Sequence, residues 1–146
     1  PKPRKDLVSF LIERGRWEDA VVEGRRYLSD HPDDADFASY FGASLSVRGF
    51  LDESAEILRR AVDLRPSRYT YDRLAWVMTR RGDPRAAIEV LNAAAKRYTD
   101  SWEFPFLLGV NRARLGDRAG AIAALERATV LDPDLPDVAE VLNDLR

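Results

Sequence analysis

The chain has 146 residues, 45% of them hydrophobic and 33% charged, and its 23 basic and 25 acidic side chains leave a net charge of -2. That balance supports a globular core and argues against a general phosphate-binding surface, so nucleic acid is not an expected partner. There is no cysteine, hence no disulfide framework, thiolate zinc site or cysteine nucleophile, and no apolar run approaches the roughly 18 residues of a membrane helix.

The first residues, Pro1-Lys2-Pro3-Arg4-Lys5-Asp6, carry no apolar signal region. The chain begins at proline and its one methionine is Met78, the pattern of a processed chain or of a piece of a longer one. A cytoplasmic location is expected, or a periplasmic one if a signal segment precedes. From Lys5 to Arg14, Leu7, Val8, Phe10, Leu11 and Ile12 predict a helix with an apolar face, which Gly15 ends. A second helix runs from about Trp17 to Ser29 with Ala20, Val21, Gly24, Tyr27 and Leu28 inward. Asp30-His31-Pro32-Asp33-Asp34 stops it, because proline disfavours helix at the residue before it and aspartate caps the next helix.

The plan then returns. Phe37, Tyr40, Phe41, Leu45 and Val47 line a helix ending at Gly49, and Leu51 to Pro66 carries Ala55, Ile57, Leu58, Ala61 and Val62. Tyr71, Leu74, Ala75, Val77 and Met78 precede Gly82, followed by Ala86, Ala87, Ile88, Leu91, Ala94 and Ala95. Leu107, Leu108 and Gly109 precede Gly116, with Ala121, Ile122, Leu125, Ala128 and Leu131 after it. Asp134 to Arg146 forms a last helix with Val138, Val141, Leu142 and Leu145 on one face. No β-alternating run breaks the all-α reading.

Gly15, Gly49, Gly82 and Gly116 stand 34, 33 and 34 residues apart, the period of stacked helix pairs sharing one core. Each follows a helix, so a left-handed C-terminal cap is expected. Five residues on, Ala20, Ser54, Ala87 and Ala121 form a small column where helices cross closely. Leu58, Leu91 and Leu125 form a large one, and Ala61, Ala94 and Ala128 another small one, the alternation that interdigitating layers require.

These columns, with the small residues Gly42, Ala75 and Gly109 and the prolines Pro32, Pro66 and Pro133, resemble the tetratricopeptide repeat family. The resemblance covers one domain, 1–146, with repeats at about 1–34, 35–67, 68–101 and 102–133 and a capping helix at 134–146. It departs at Gly24 and Tyr27, where large then small is expected, and at Thr99, which replaces a proline. The swap at Gly24 and Tyr27 suggests an adapted end unit or one that packs on an upstream segment. The resemblance implies a right-handed superhelical solenoid of antiparallel helix pairs, holding a peptide or partner helix in a concave groove lined by the first helix of each pair.

By the same analogy the groove is lined by Lys5, Ser9 and Ile12, then by Asp36, Ser39, Ala43 and Ser46. The third and fourth repeats supply Tyr69, Asp72, Trp76, Thr79 and Arg80, then Glu103, Phe106, Val110, Ala113 and Arg114. Trp76 and Phe106 either anchor an apolar peptide, with Arg80 and Arg114 pairing its acidic group, or fill the inside of the superhelix; the two readings stand level. The chaperone-binding members of the family clamp a terminal carboxylate with lysine, arginine and asparagine at these columns, and this chain lacks that set. No catalytic constellation, cofactor or metal is expected. His31 is read as a helix-end residue suited to the helix dipole, and Gly42-Ala43-Ser44-Leu45-Ser46 lacks the second glycine of a hydrolase elbow. The RNA-reading pentatricopeptide class is disfavoured by the charge balance and by the columns. The expected function is a non-enzymatic protein-interaction module within a larger bacterial protein. The alternative is a structural scaffold acting through self-association or complex assembly in secretion or envelope machinery.

Overall fold

The computed structural model describes residues 4–146; the opening three residues of the first expected repeat lie outside that range. Nine helices and no strand make up the described residues: α1 Lys5–Glu13, α2 Trp17–Asp30, α3 Ala35–Arg48, α4 Leu51–Leu64, α5 Arg68–Arg80, α6 Pro84–Arg97, α7 Glu103–Arg114, α8 Arg118–Leu131 and α9 Pro136–Leu145.

The glycine column does what its spacing predicts. Gly15, Gly49, Gly82 and Gly116 have φ of 72, 94, 76 and 81°, the left-handed region that a Cβ makes costly. After each, the next amide reaches back to a carbonyl five residues earlier: Arg16 to Leu11 at 2.8 Å, Phe50 to Leu45 at 3.0 Å, Asp83 to Met78 at 3.2 Å and Asp117 to Arg112 at 2.9 Å. This is the hydrogen bond that closes a Schellman cap and turns the chain into the second helix of the pair. Helix starts are fixed by side chains at Asp34, Asp83 and Asp117, each accepting from an amide three residues on, and by a reciprocal Ser67–Thr70 capping box.

Packing follows the size columns. Ala20, Ser54, Ala87 and Ala121 are fully buried, and the one polar member is satisfied because the Ser54 hydroxyl donates to the Gly42 carbonyl at 2.7 Å. A Cβ on Gly42 would lie 2.7 Å from Leu58 Cγ, and one on Gly109 would lie 2.6 Å from Leu125 Cγ, so the large column of each second helix seats on the small column of its first helix. α4 is buried on two sides: Ile57 and Ala61 join the N-terminal core with Val8, Leu28 and Phe41, while Leu58 and Val62 join the central core with Leu74, Leu91 and Phe104. No pair could bury both its faces alone, which is why the units must stack.

The first repeat differs as its sequence suggested. Where Leu58 and Leu125 stand later, Gly24 leaves a gap that the Phe41 ring fills from α3. Tyr27, in the alanine column, packs edge-on to Phe37 at 4.6 Å between ring centres, and Phe37 stacks on Phe41 at 5.4 Å. This aromatic layer holds the backbones of α2 and α3 further apart than those of α4 and α5 or α6 and α7. Of the residues read as apolar face, Leu7, Phe10, Tyr40, Val47 and Val141 are instead exposed, because each helix meets neighbours over only part of the face that its apolar residues span.

α5 lies close against α3 and α7, whereas α6 makes no comparable approach to α4 or α8. From α3 onward the first helices are therefore nearer one another than the second helices are, and the stack bends toward the α3–α5–α7 side.

Candidate binding groove

The inner side of the bend is built from the first helices, and its most open part lies between α3 and α5. There Tyr40, Val47 and Tyr69 are 43%, 79% and 55% exposed around a cleft of about 300 Å³ that Ala43, Ser44 and Arg73 complete. Tyr69 is held at the first turn of α5 by the Ser67–Thr70 box, and the Ser44 hydroxyl is occupied by the Tyr40 carbonyl at 2.8 Å. Tyr40, Val47 and Arg73 were not among the groove residues read from the sequence. A signal was present for Val47, since the same column holds Arg80 and Arg114 in the later repeats, and a column that is charged elsewhere faces water.

Further along α5, Asp72, Trp76 and Arg80 share one stripe at four-residue spacing. The guanidinium carbons of Arg73 and Arg80 each lie 4.9 Å from the Trp76 ring centre, so two cations lie against the indole. Arg73 also donates to the Ser46 hydroxyl at 2.8 Å, tying α5 to α3, and its Nε is buried without a partner. Asp72 is half-buried and has no hydrogen bond or ion pair among the described residues. Burial first and the Glu103 carboxylate next push its carboxyl upward, against the opposing pull of Arg73.

Other expected groove residues serve the frame. Thr79 is buried and accepts from Asn111 Nδ2 at 2.9 Å, while Arg114 donates to the Thr79 carbonyl at 2.7 Å, so α7 is lashed to α5 by the side chains that would otherwise meet a ligand. Ser46 is buried under Arg73. Lys5 pairs with Asp34 at 3.2 Å and Asp36 with Arg65 at 2.6 Å. Phe106 meets Trp102 edge-on at 6.0 Å and packs on the cluster of Leu125, Val138 and Leu142, away from the cluster that takes Trp76. Ser39, Ala43, Val110 and Ala113 are half-buried on the groove side and leave small apolar floor between the larger residues. His31 stacks on Tyr27 at 4.3 Å with Nδ1 3.2 Å from its carbonyl, and no group of three or more metal-ligating side chains occurs among the described residues.

Residues 73–136 match the tetratricopeptide repeat profile, which spans α6 to α8 with most of α5 before them and the start of α9 after them. Over that span the chain carries the tetratricopeptide repeat, and its helix pairs have the fold of solved tetratricopeptide structures. A crystal structure of MamA superposes on it with a TM-score of 0.82 at 20% identity, covering 96% of this chain and 77% of that one. MamA from Desulfovibrio magneticus RS-1 gives 0.78 at 19% identity over 96% and 80%. The first tetratricopeptide domain of Spaghetti (RPAP3), bound to the HSP90 peptide SRMEEVD, gives 0.72 at 19% identity over 76% and 89%. No curated protein sequence matches the chain. The right-handed superhelix of this repeat domain is the fold that the resemblance implied, and its concave side is the α3–α5–α7 side derived above.

Proposed function

We propose that this tetratricopeptide domain is a non-enzymatic interaction module that holds a protein segment, extended or helical, along the concave groove, as one part of a larger bacterial protein. The observation that carries the reading is the cleft between α3 and α5, where two tyrosines and a valine stand in water around small floor residues. Exposed aromatics grouped in a concavity supply large contact area at low entropic cost, which is the composition of binding hot spots. The likeness to a repeat domain solved with a peptide bound supports the same assignment. Asp72, half-buried and without a partner among the described residues, favours a segment with a basic side chain opposite it.

The test is a pull-down with the full-length protein, repeated with Tyr69→Ala and Val47→Asp. A groove ligand loses at least about tenfold in affinity with either change. A partner whose affinity stays within about twofold of the parent for both binds elsewhere.

A second reading, assembly through the ends of the stack, rests on Leu7 and Phe10, which stand exposed on α1 with Arg14 5.1 Å over the Phe10 ring. Light scattering across concentrations separates the two, because a scaffold of this kind grows in mass and a monomeric binder does not.

A further inference from the structure

Successive second helices leave a notch between them on the side of the stack away from the groove, and the three notches are not alike. The first is crossed by an ion pair, Arg25 to Glu56 at 2.9 Å, which leaves about 150 Å³. The second holds Arg59 among Asp63 and Glu89, and Tyr71 fills it to about 170 Å³. In the third, between α6 and α8, Pro105 and Arg112 stand where Tyr71 and Met78 stand one repeat earlier. A ring has been replaced by a short pyrrolidine, and the pocket opens to about 280 Å³.

Its chemistry is of one sign. Tyr98, Leu108 and Leu131 give apolar walls, Arg112 and Arg127 bring two guanidinium groups, and no carboxylate lines it. Neither arginine is in an ion pair among the described residues. Their only hydrogen bonds there are long ones, Arg112 to the Gly120 carbonyl at 3.5 Å and Arg127 to the Thr99 carbonyl at 3.4 Å. Thr99 and Ser101 complete the polar lining, the latter 3% exposed with its hydroxyl buried without a partner. Two guanidinium groups without a carboxylate partner, at a pocket with apolar walls, form a receptor for an anionic acceptor.

We propose that this pocket binds a monocarboxylate carried on a small apolar body, its oxygens taken by the Arg112 and Arg127 guanidinium groups and its body laid on Leu108, Tyr98 and Leu131. The volume is at the lower end of ligand cavities, which limits the occupant to a short-chain acid or to the last residue of an apolar chain. An inorganic phosphate brings no apolar body to fill the walls.

The experiment is a titration of the ¹⁵N-labelled chain followed by amide shifts, with hexanoate standing for the free acid, N-acetyl-leucine for a chain terminus, and hexanamide and inorganic phosphate as controls. A ligand of this size binds with a dissociation constant of about 1 mM. The expected result is saturable shifts at Ser101, Leu108 and Ala124 with one or both acids. Arg127→Gln should weaken them by at least about fivefold, and Ala123→Phe, which puts a ring at the pocket mouth, should abolish them. Which acid binds more tightly tells a metabolite pocket from a terminus receptor. The proposal is overturned if neither acid saturates by about 20 mM, if hexanamide or phosphate binds equally well, or if both variants bind as the parent does.

Discussion

The ring of Phe41 occupies the volume that a Cβ on Gly24 would need. One repeat later the sizes are reversed, with Leu58 of the second helix seated on Gly42 of the first. Gly24→Ala therefore costs about 1–3 kcal/mol by overpacking, although alanine is the better helix former by about 1 kcal/mol. Phe41→Ala alone opens a cavity worth about 3–5 kcal/mol. Combining Gly24→Leu with Phe41→Ala should recover part of that loss in urea denaturation; a double variant as unstable as the sum of the singles would show that the two positions do not share one space.

The glycine caps and the glycines of the small column separate two costs. At Gly49, with φ 94°, a Cβ meets nothing within 4 Å, so Gly49→Val introduces backbone strain alone, about 1–2 kcal/mol. Gly109→Val adds methyls where Leu125 Cγ would already lie 2.6 Å from the Cβ, and should cost more than Gly49→Val or prevent folding. Thermal melts of the two variants give the order.

Two aspartates should move stability with pH in opposite directions. Asp34 accepts the Tyr27 hydroxyl at 2.5 Å, the Phe37 amide at 3.0 Å and the Lys5 ammonium at 3.2 Å, and the Tyr27 bond leads in holding its carboxyl below the ordinary 3.8. A lowered folded pKa contributes stability that is present above 3.8 and is lost as pH falls through the folded value. Asp34→Ala, which also removes the cap, should cost about 1 kcal/mol at neutral pH and less at low pH. The Asp72 carboxyl is raised, so its ionised form burdens the fold at neutral pH and the burden lifts as pH falls through the raised value. Asp72→Asn should then raise the denaturation midpoint at neutral pH and leave it unchanged below 3.8. An equal shift at both pH values would mean that the substitution acts through packing.

In the groove, Trp76→Ala should lower partner affinity by about 2 kcal/mol, since it removes the surface on which Arg73 and Arg80 are stacked. Phe106→Ala should lower stability instead, because its ring rests on Trp102 and the C-terminal cluster. Isothermal titration and melting of the two variants distinguish these outcomes.

A peptide ending in the acidic tail recognised by chaperone-binding relatives should not bind. At the columns that would clamp its carboxylates this chain offers Lys5, already paired with Asp34, then Ser9, Ala43, Asp72 and Trp76. Micromolar affinity for such a peptide would overturn the assignment.

Much of the fold was legible because its determinants are local and recur. A glycine that must be left-handed, an aspartate before a helix and a small residue opposite a leucine each act within one pair, and repetition at 34, 33 and 34 residues makes the pattern stand above chance. The candidate groove was legible as a set of columns, of which Ala43 and Tyr69 line the cleft between α3 and α5. What each side chain is free to do was not. Arg80 and Arg114 occupy equivalent positions, yet one stacks on Trp76 and the other is tied to the Thr79 carbonyl. Trp76 and Phe106 looked like a pair, and they pack on different clusters.

The sequence by itself determined that this chain is a stack of helix pairs, where each pair turns and which residues seat on which, since these depend on backbone conformation and side-chain size a few residues apart. Only the tertiary structure decided which way the stack bends, which polar groups are consumed in lashing one repeat to the next, and where a missing ring leaves a pocket. Those outcomes depend on distances between helices about one repeat apart in sequence, set by the summed bulk of layers such as Tyr27, Phe37 and Phe41, and no single column records that sum.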